Sequence, residues 1–141
     1  MSYKHILVAV DLSEDSERLV AKADSLAQAV GAKLSLVHID VNYAELYTGL
    51  IDINLVESRN RVIEEAQHKL NQLAGNAQVP VTHTLVSSGD LAEEITESIQ
   101  NMGIDLVVVG HHQDFWSSLL SSTKQLLNKT PVDLLMVPIR D

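Results

Sequence analysis

The chain contains no cysteine. That excludes a disulfide framework, a thiolate metal site and a cysteine nucleophile together. Basic residues are scarce: 10 Lys and Arg stand against 19 Asp and Glu, for a net charge of −9. A chain this acidic lacks the basic face that backbone-driven nucleic-acid binding needs. It also lacks the charge to dock on anionic membranes. Neither nucleic acid nor membrane is therefore expected as a partner. No apolar run approaches the ~20 residues that cross a bilayer. The opening, Met1-Ser2-Tyr3-Lys4-His5, leads into a strand-like stretch without the long apolar core of a signal peptide. A cytoplasmic location is the expectation.

Glycine is thin as well, with six in the chain and neither a Walker A loop nor a GxGxxG turn. What is present is an ordinary apolar fraction, 45%, in a length of 141 residues. Residues 1–141 are expected to form one domain with a proper core. Five apolar runs read as strands: Lys4–Val10, Lys33–Ile39, Val81–Val86, Asp105–Val109 and Val132–Val137. Most are continuous rather than alternating, the mark of parallel strands buried on both faces.

Helical patterns fill the gaps. Ser13 is expected to cap the first, with Leu19, Val20, Ala23, Leu26, Ala27 and Val30 on one stripe and Gly31 as its stop. Asn54 and Glu57 resemble a capping box for the second, whose stripe is Val62, Ile63, Ala66, Leu70, Leu73 and Ala74. Asp90 and Glu93 open the third, with Leu91, Ile95, Ile99 and Met102 on one face. Ser117 to Asn128 makes a fourth, and Pro131 separates it from the last strand. The alternation predicts a doubly wound α/β domain, a five-stranded parallel sheet with helices on both faces. Orders 3-2-1-4-5 and 2-1-3-4-5 both fit the pattern, and both place ligand crevices beyond the C-terminal strand ends.

Three strand-ending turns converge on that rim: Asp11-Leu12-Ser13, Ser87-Ser88-Gly89-Asp90 and Gly110 to Trp116. Asp11 is placed to accept hydrogen bonds from a ribose or an adenine amine. Gly110 stands where a phosphate turn would begin, but His111, His112 and Gln113 follow it. A response-regulator site is excluded, because the third strand leads to Ser87-Ser88 and the fifth to Ile139-Arg140. A flavin phosphate would meet Asp11, Glu14 and Asp15. The paired imidazoles of His111 and His112 lack the accompanying ligands of a metal site, even allowing for Asp114 and His38, so no metal is expected. The serines at 87, 88, 117, 118, 121 and 122 have no evident base and read as turn and cap residues, with phosphorylation as the sharper alternative.

Asp40 to Asn54 is a long connection rich in Val41, Tyr43, Leu46, Tyr47, Leu50, Ile51 and Ile53. It reads as a packed helical turn or as an arm lining the crevice or a subunit contact. The last strand lies at a sheet edge in either order, and it is almost wholly apolar. Such an edge invites pairing with a second copy. Val132, Leu134, Leu135, Met136, Val137 and Pro138 are the expected dimer interface.

Lys4 to Ser13, Asp105 to His112 and the close Val132 to Pro138 together resemble the universal stress protein family, over essentially the whole chain. The resemblance implies the order 3-2-1-4-5 in a Rossmann-like, adenine nucleotide alpha hydrolase-like fold. It also implies a cytoplasmic homodimer paired along strand five, and a role in surviving starvation, stasis and DNA-damaging agents. One branch of the family binds ATP through G-x2-G-x9-G-[S/T] after strand four. On this chain Gly110 matches the first glycine, while Gln113, Thr123 and Lys124 occupy the other positions. Asp11 matches the acidic residue after strand one. The resemblance is thus to the branch without the ATP site, and no cofactor is expected. A side chain at Gln113 fills space a phosphate needs, and left-handed backbone costs a non-glycine residue about 1–2 kcal/mol. The rival expectation is an ATP-binding or weakly hydrolysing switch on Asp11 and Gly110, with Lys124 as a point charge. An enzyme acting on a small metabolite is a more distant one.

Overall fold

A computed structural model describes residues 3–10, 12, 15–40, 53–88, 91–111 and 132–138. Strands β1 (His5–Val10), β2 (Lys33–Asp40), β3 (Val81–Ser88), β4 (Leu106–His111) and β5 (Asp133–Pro138) form one sheet in the order β3-β2-β1-β4-β5. Every neighbouring pair is parallel. Of the two orders open to the sequence pattern, the structure takes 3-2-1-4-5. Helices α1 (Ser16–Val30), α2 (Ile53–Gly75) and α3 (Leu91–Met102) connect the strands. The segment Ser117–Asn128 and the connection over residues 41–52 lie outside the described residues.

The period-2 geometry of a strand divides the core into two layers. Ile6, Val8, Leu34, Leu36, Leu106 and Val108 face α1 and α2, where Leu19, Val20, Ala23, Ala27, Leu70 and Leu73 meet them. Leu7, Ala9, Val37, Val107 and Val109 face the other way, against Ile95 and Ile99 of α3. Helices therefore cover both faces. All of β1 is buried, which is why its sequence is apolar without alternation.

Several boundaries differ from the sequence expectation. The N-cap of α1 is Asp15, which makes no side-chain cap bond; Ser13 lies outside the described residues. Gly31 ends α1 as expected, at φ 72°, a left-handed conformation suited to glycine. Helix α2 already begins at Ile53, so Asn54 sits within the helix rather than capping it. Val62 and Ile63 are exposed, at 44% and 37%, rather than part of the core stripe. The buried stripe of α2 is carried by Ala66, Leu70 and Leu73 instead. Strand β3 continues through Ser87 and Ser88, and β4 through Gly110 and His111.

Polar side chains tie the elements together. The carboxylate of Asp24, 6% exposed, accepts from the backbone N–H of Gln78 at 2.9 Å and of Val79 at 3.0 Å, fixing the chain between α2 and β3. Asp105 accepts from the backbone N–H of Lys4 at 2.8 Å and of His5 at 3.1 Å, which fastens the start of β1 to the start of β4. The Tyr3 hydroxyl donates to Asp133 at 2.8 Å.

Candidate functional site

The candidate site is the C-terminal rim of the sheet, where β1 and β4 end side by side. A parallel sheet brings these ends together whatever the function, so the chemistry depends on the residues placed there. Gly110 is buried inside β4 and lies opposite Val137 of β5; His111 lies opposite Pro138. The sequence expectation that a turn begins at Gly110 is corrected by this. Pairing with β5 carries the strand two residues further, so Gly110 serves the sheet interior. Asp11, Gln113, Thr123 and Lys124 lie outside the described residues. Gly110 is thus the position of the degenerate nucleotide pattern that the structure locates.

Leu12 follows β1 and adopts φ 61° without being glycine, a left-handed backbone that costs about 1–2 kcal/mol. Its side chain packs against the α1–α2 core layer, which holds it there. Leu12, Ser16 and Glu17 also line a cleft of about 160 Å³ together with Lys69 and Gln72 of α2 and Asn76 just beyond it.

Sequence reasoning missed the bond that closes the rim between β1 and β2. His38 Nδ1 lies 2.9 Å from the Val10 carbonyl oxygen. A carbonyl only accepts, so Nδ1 carries the proton. This commits one ring nitrogen to the backbone of β1. The signal available was register: His38 pairs with Val10 in the sheet. Among the described residues there is no cluster of three or more His, Asp or Glu side chains that could hold a metal. Ser87, expected in a turn, sits in β3 and donates to Glu94 Oε2 at 2.6 Å.

At the opposite end of β1, His5 is 7% exposed. Its Nδ1 donates to the Met102 carbonyl at 3.0 Å, and its Nε2 accepts from Ser35 Oγ at 2.7 Å. Burial pushes the imidazole below its ordinary range, and the nearby His83 and Lys33 add to this, while the bond to Met102 opposes it. The ring is therefore a neutral strut.

The whole arrangement matches known proteins. The Universal stress protein family is matched over residues 2–138, and the chain belongs to that family. It is 55% identical to Universal stress protein A of Salmonella typhimurium over 141 residues, covering all of this chain and 98% of that one. It is 53% identical to Universal stress protein A of Photorhabdus laumondii, covering all of this chain and 99% of that protein. These relatives are named as stress proteins, not as enzymes. Universal stress protein UspA from Lactobacillus plantarum shares the fold at a TM-score of 0.68 and 20% identity, covering 97% of this chain and 99% of that one. A universal stress protein solved in complex with cAMP does so at 0.64 and 18%, covering 98% of each chain. No helix among the described residues is long and apolar enough to cross a membrane.

Proposed function

We propose that this chain is a non-enzymatic, cytoplasmic stress-response protein that acts as a homodimer joined along β5 and does not bind ATP. It supports survival in starvation and stasis, and resistance to DNA-damaging agents, through partner proteins. One observation carries this reading. Among the described residues β5 is an edge strand paired with β4 alone, and it exposes Leu135 at 42% on a strand that is apolar apart from Asp133. A second copy would cover that edge and remove an aggregation hazard. Its dimer residues are Val132, Leu134, Leu135, Met136, Val137 and Pro138. Gln113, Thr123 and Lys124 in place of two glycines and a hydroxyl support the absence of ATP.

A second reading, a nucleotide switch built on Asp11 and Gly110, draws support from the structural neighbour solved with cAMP. Titration with ATP-Mg separates the two, followed by calorimetry and by the fluorescence of Trp116, the single tryptophan. The proposal expects neither heat nor quenching up to millimolar ATP. Saturable micromolar binding would replace it with the switch.

A further inference from the structure

The other edge of the sheet carries a groove. Helix α3 packs its Ile95 and Ile99 on β1, β4 and Val37 of β2, leaving the α3-facing side of β3 without a covering helix among the described residues. His83, Leu85 and Ser87 line the open side, and Glu94, Glu97 and Met102 line the wall of α3, around about 350 Å³. Leu85 is 41% exposed on the floor.

Among the described residues no strand pairs with the outer side of β3. Lys33 N–H bonds the Lys4 carbonyl, so residues 33, 35 and 37 of β2 address β1, and Leu34, Leu36 and His38 address β3. Leu36 is registered with Thr84, so it bonds the flanking His83 and Leu85. Thr84 and Val86 therefore turn their N–H and C=O groups outward. The Gln67 side chain donates to the Thr84 carbonyl at 3.3 Å, as an outward carbonyl allows. Natural edges are usually blunted by charge, proline or bulges. The eight residues of β3, Val-Thr-His-Thr-Leu-Val-Ser-Ser, hold no Lys, Arg, Asp, Glu or Pro, and the register shift opposite Leu34/Ser35 lies at the strand's start.

We propose that the β3 edge and its groove dock an extended segment of a partner protein, added as a sixth strand, with an apolar and a cationic side chain two residues apart. Side chains two apart on a strand share one face, about 6.6 Å from each other. That spacing lets one rest on Leu85 while the next reaches the carboxylates of Glu94 and Glu97. The backbone supplies affinity and the side chains supply selection, as in other strand-addition sites. Charge complementarity chooses the occupant: the wall beside Leu85 is acidic, and the chain as a whole carries −9. This takes up the partner reading above, but it concerns the edge opposite β5, so its failure leaves self-association untouched.

The test is fluorescence anisotropy of a blocked, dye-labelled eight-residue peptide, titrated with the full-length protein. The peptide alternates threonine with leucine and lysine, the latter two on one face. A saturable rise at micromolar protein is expected. Glu97→Lys should weaken it about tenfold or more, Leu85→Lys should abolish it, and Leu135→Lys should leave it unchanged. Hydrogen exchange at the Thr84 and Val86 amides should slow in the complex. No saturation at millimolar protein would overturn the proposal. So would equal binding by the Glu97→Lys protein, loss of binding in Leu135→Lys, or protection that maps to another strand.

Discussion

The ring of His5 is held between Ser35 and Met102, with Nε2 accepting from Ser35 Oγ at 2.7 Å. Burial favours the neutral ring, because an imidazolium would lose its hydration in the core, and its Nε2 would then donate to Ser35 Oγ instead of accepting from it. The folded ring has a lowered pKa, so below the unfolded value of about 6.5 the unfolded state binds more protons. Stability from this group is therefore complete above about pH 6.5 and declines as pH falls from there toward the folded value. Urea unfolding of the parent and of His5→Asn at pH 7.5 and 5 checks this. The parent should lose more stability on acidification than the variant. Ser35→Ala should cost about 1–2 kcal/mol at pH 7.5 by removing the partner of a buried nitrogen.

Asp24 makes a second, independent case. It holds the backbone amides of Gln78 and Val79, and its replacement by alanine removes the acceptor from both. We expect Asp24→Ala to lose about 2–4 kcal/mol in chemical denaturation, and Asp24→Asn roughly half of that, since the amide oxygen still accepts. Equal stability of Asp24→Ala and the parent would mean that water serves these amides as well.

Much of the frame was legible because physics imposes it locally. The uninterrupted apolar run of β1 reports burial on both faces, and Gly31 marks a helix end by its left-handed backbone, at φ 72°. What escaped depends on partners far along the chain. The periodicity of Val62 and Ile63 is the same whether or not a sheet lies beneath them. Gly110 and His111 read as a turn from their side chains alone, but β5 holds them in the ladder. His5 finds partners 30 and 97 residues away, which no local pattern encodes. At the rim, strand order made the proximity of β1 and β4 foreseeable in kind, while the bond from His38 to Val10 followed only from register.

The β5 edge yields a cleaner substitution than the sequence offered. Leu134 and Met136 pack against the α3-side core, so a charge there would damage the fold as well as an interface. Leu135 is exposed, and Leu135→Lys should leave thermal unfolding of the subunit nearly unchanged. If β5 joins two copies, the same substitution weakens self-association about tenfold or more by sedimentation. A variant that remains fully dimeric at low micromolar concentration would move the interface elsewhere.

Leu12 holds left-handed backbone and packs on the core at the same time. Leu12→Gly relieves the strain but forfeits the packing, and both amount to about 1–2 kcal/mol. The net change in unfolding free energy should stay within about 1 kcal/mol. Leu12→Val, which keeps the strain and shortens the side chain, should be the less stable of the two.

The clasp of Asp105 on the amides of Lys4 and His5 spans 101 and 100 residues. β1 is the middle strand, yet one of its neighbours is made only after two-thirds of the chain has been synthesised. A growing chain on the ribosome that has not yet reached residue 105 carries its most apolar strand with one side unpaired. Contacts of such separation slow folding and lengthen the exposure of sticky intermediates. The order 3-2-1-4-5 thus sets a timetable: β1, β2 and β3 can assemble early, and the sheet closes around its centre only when β4 arrives.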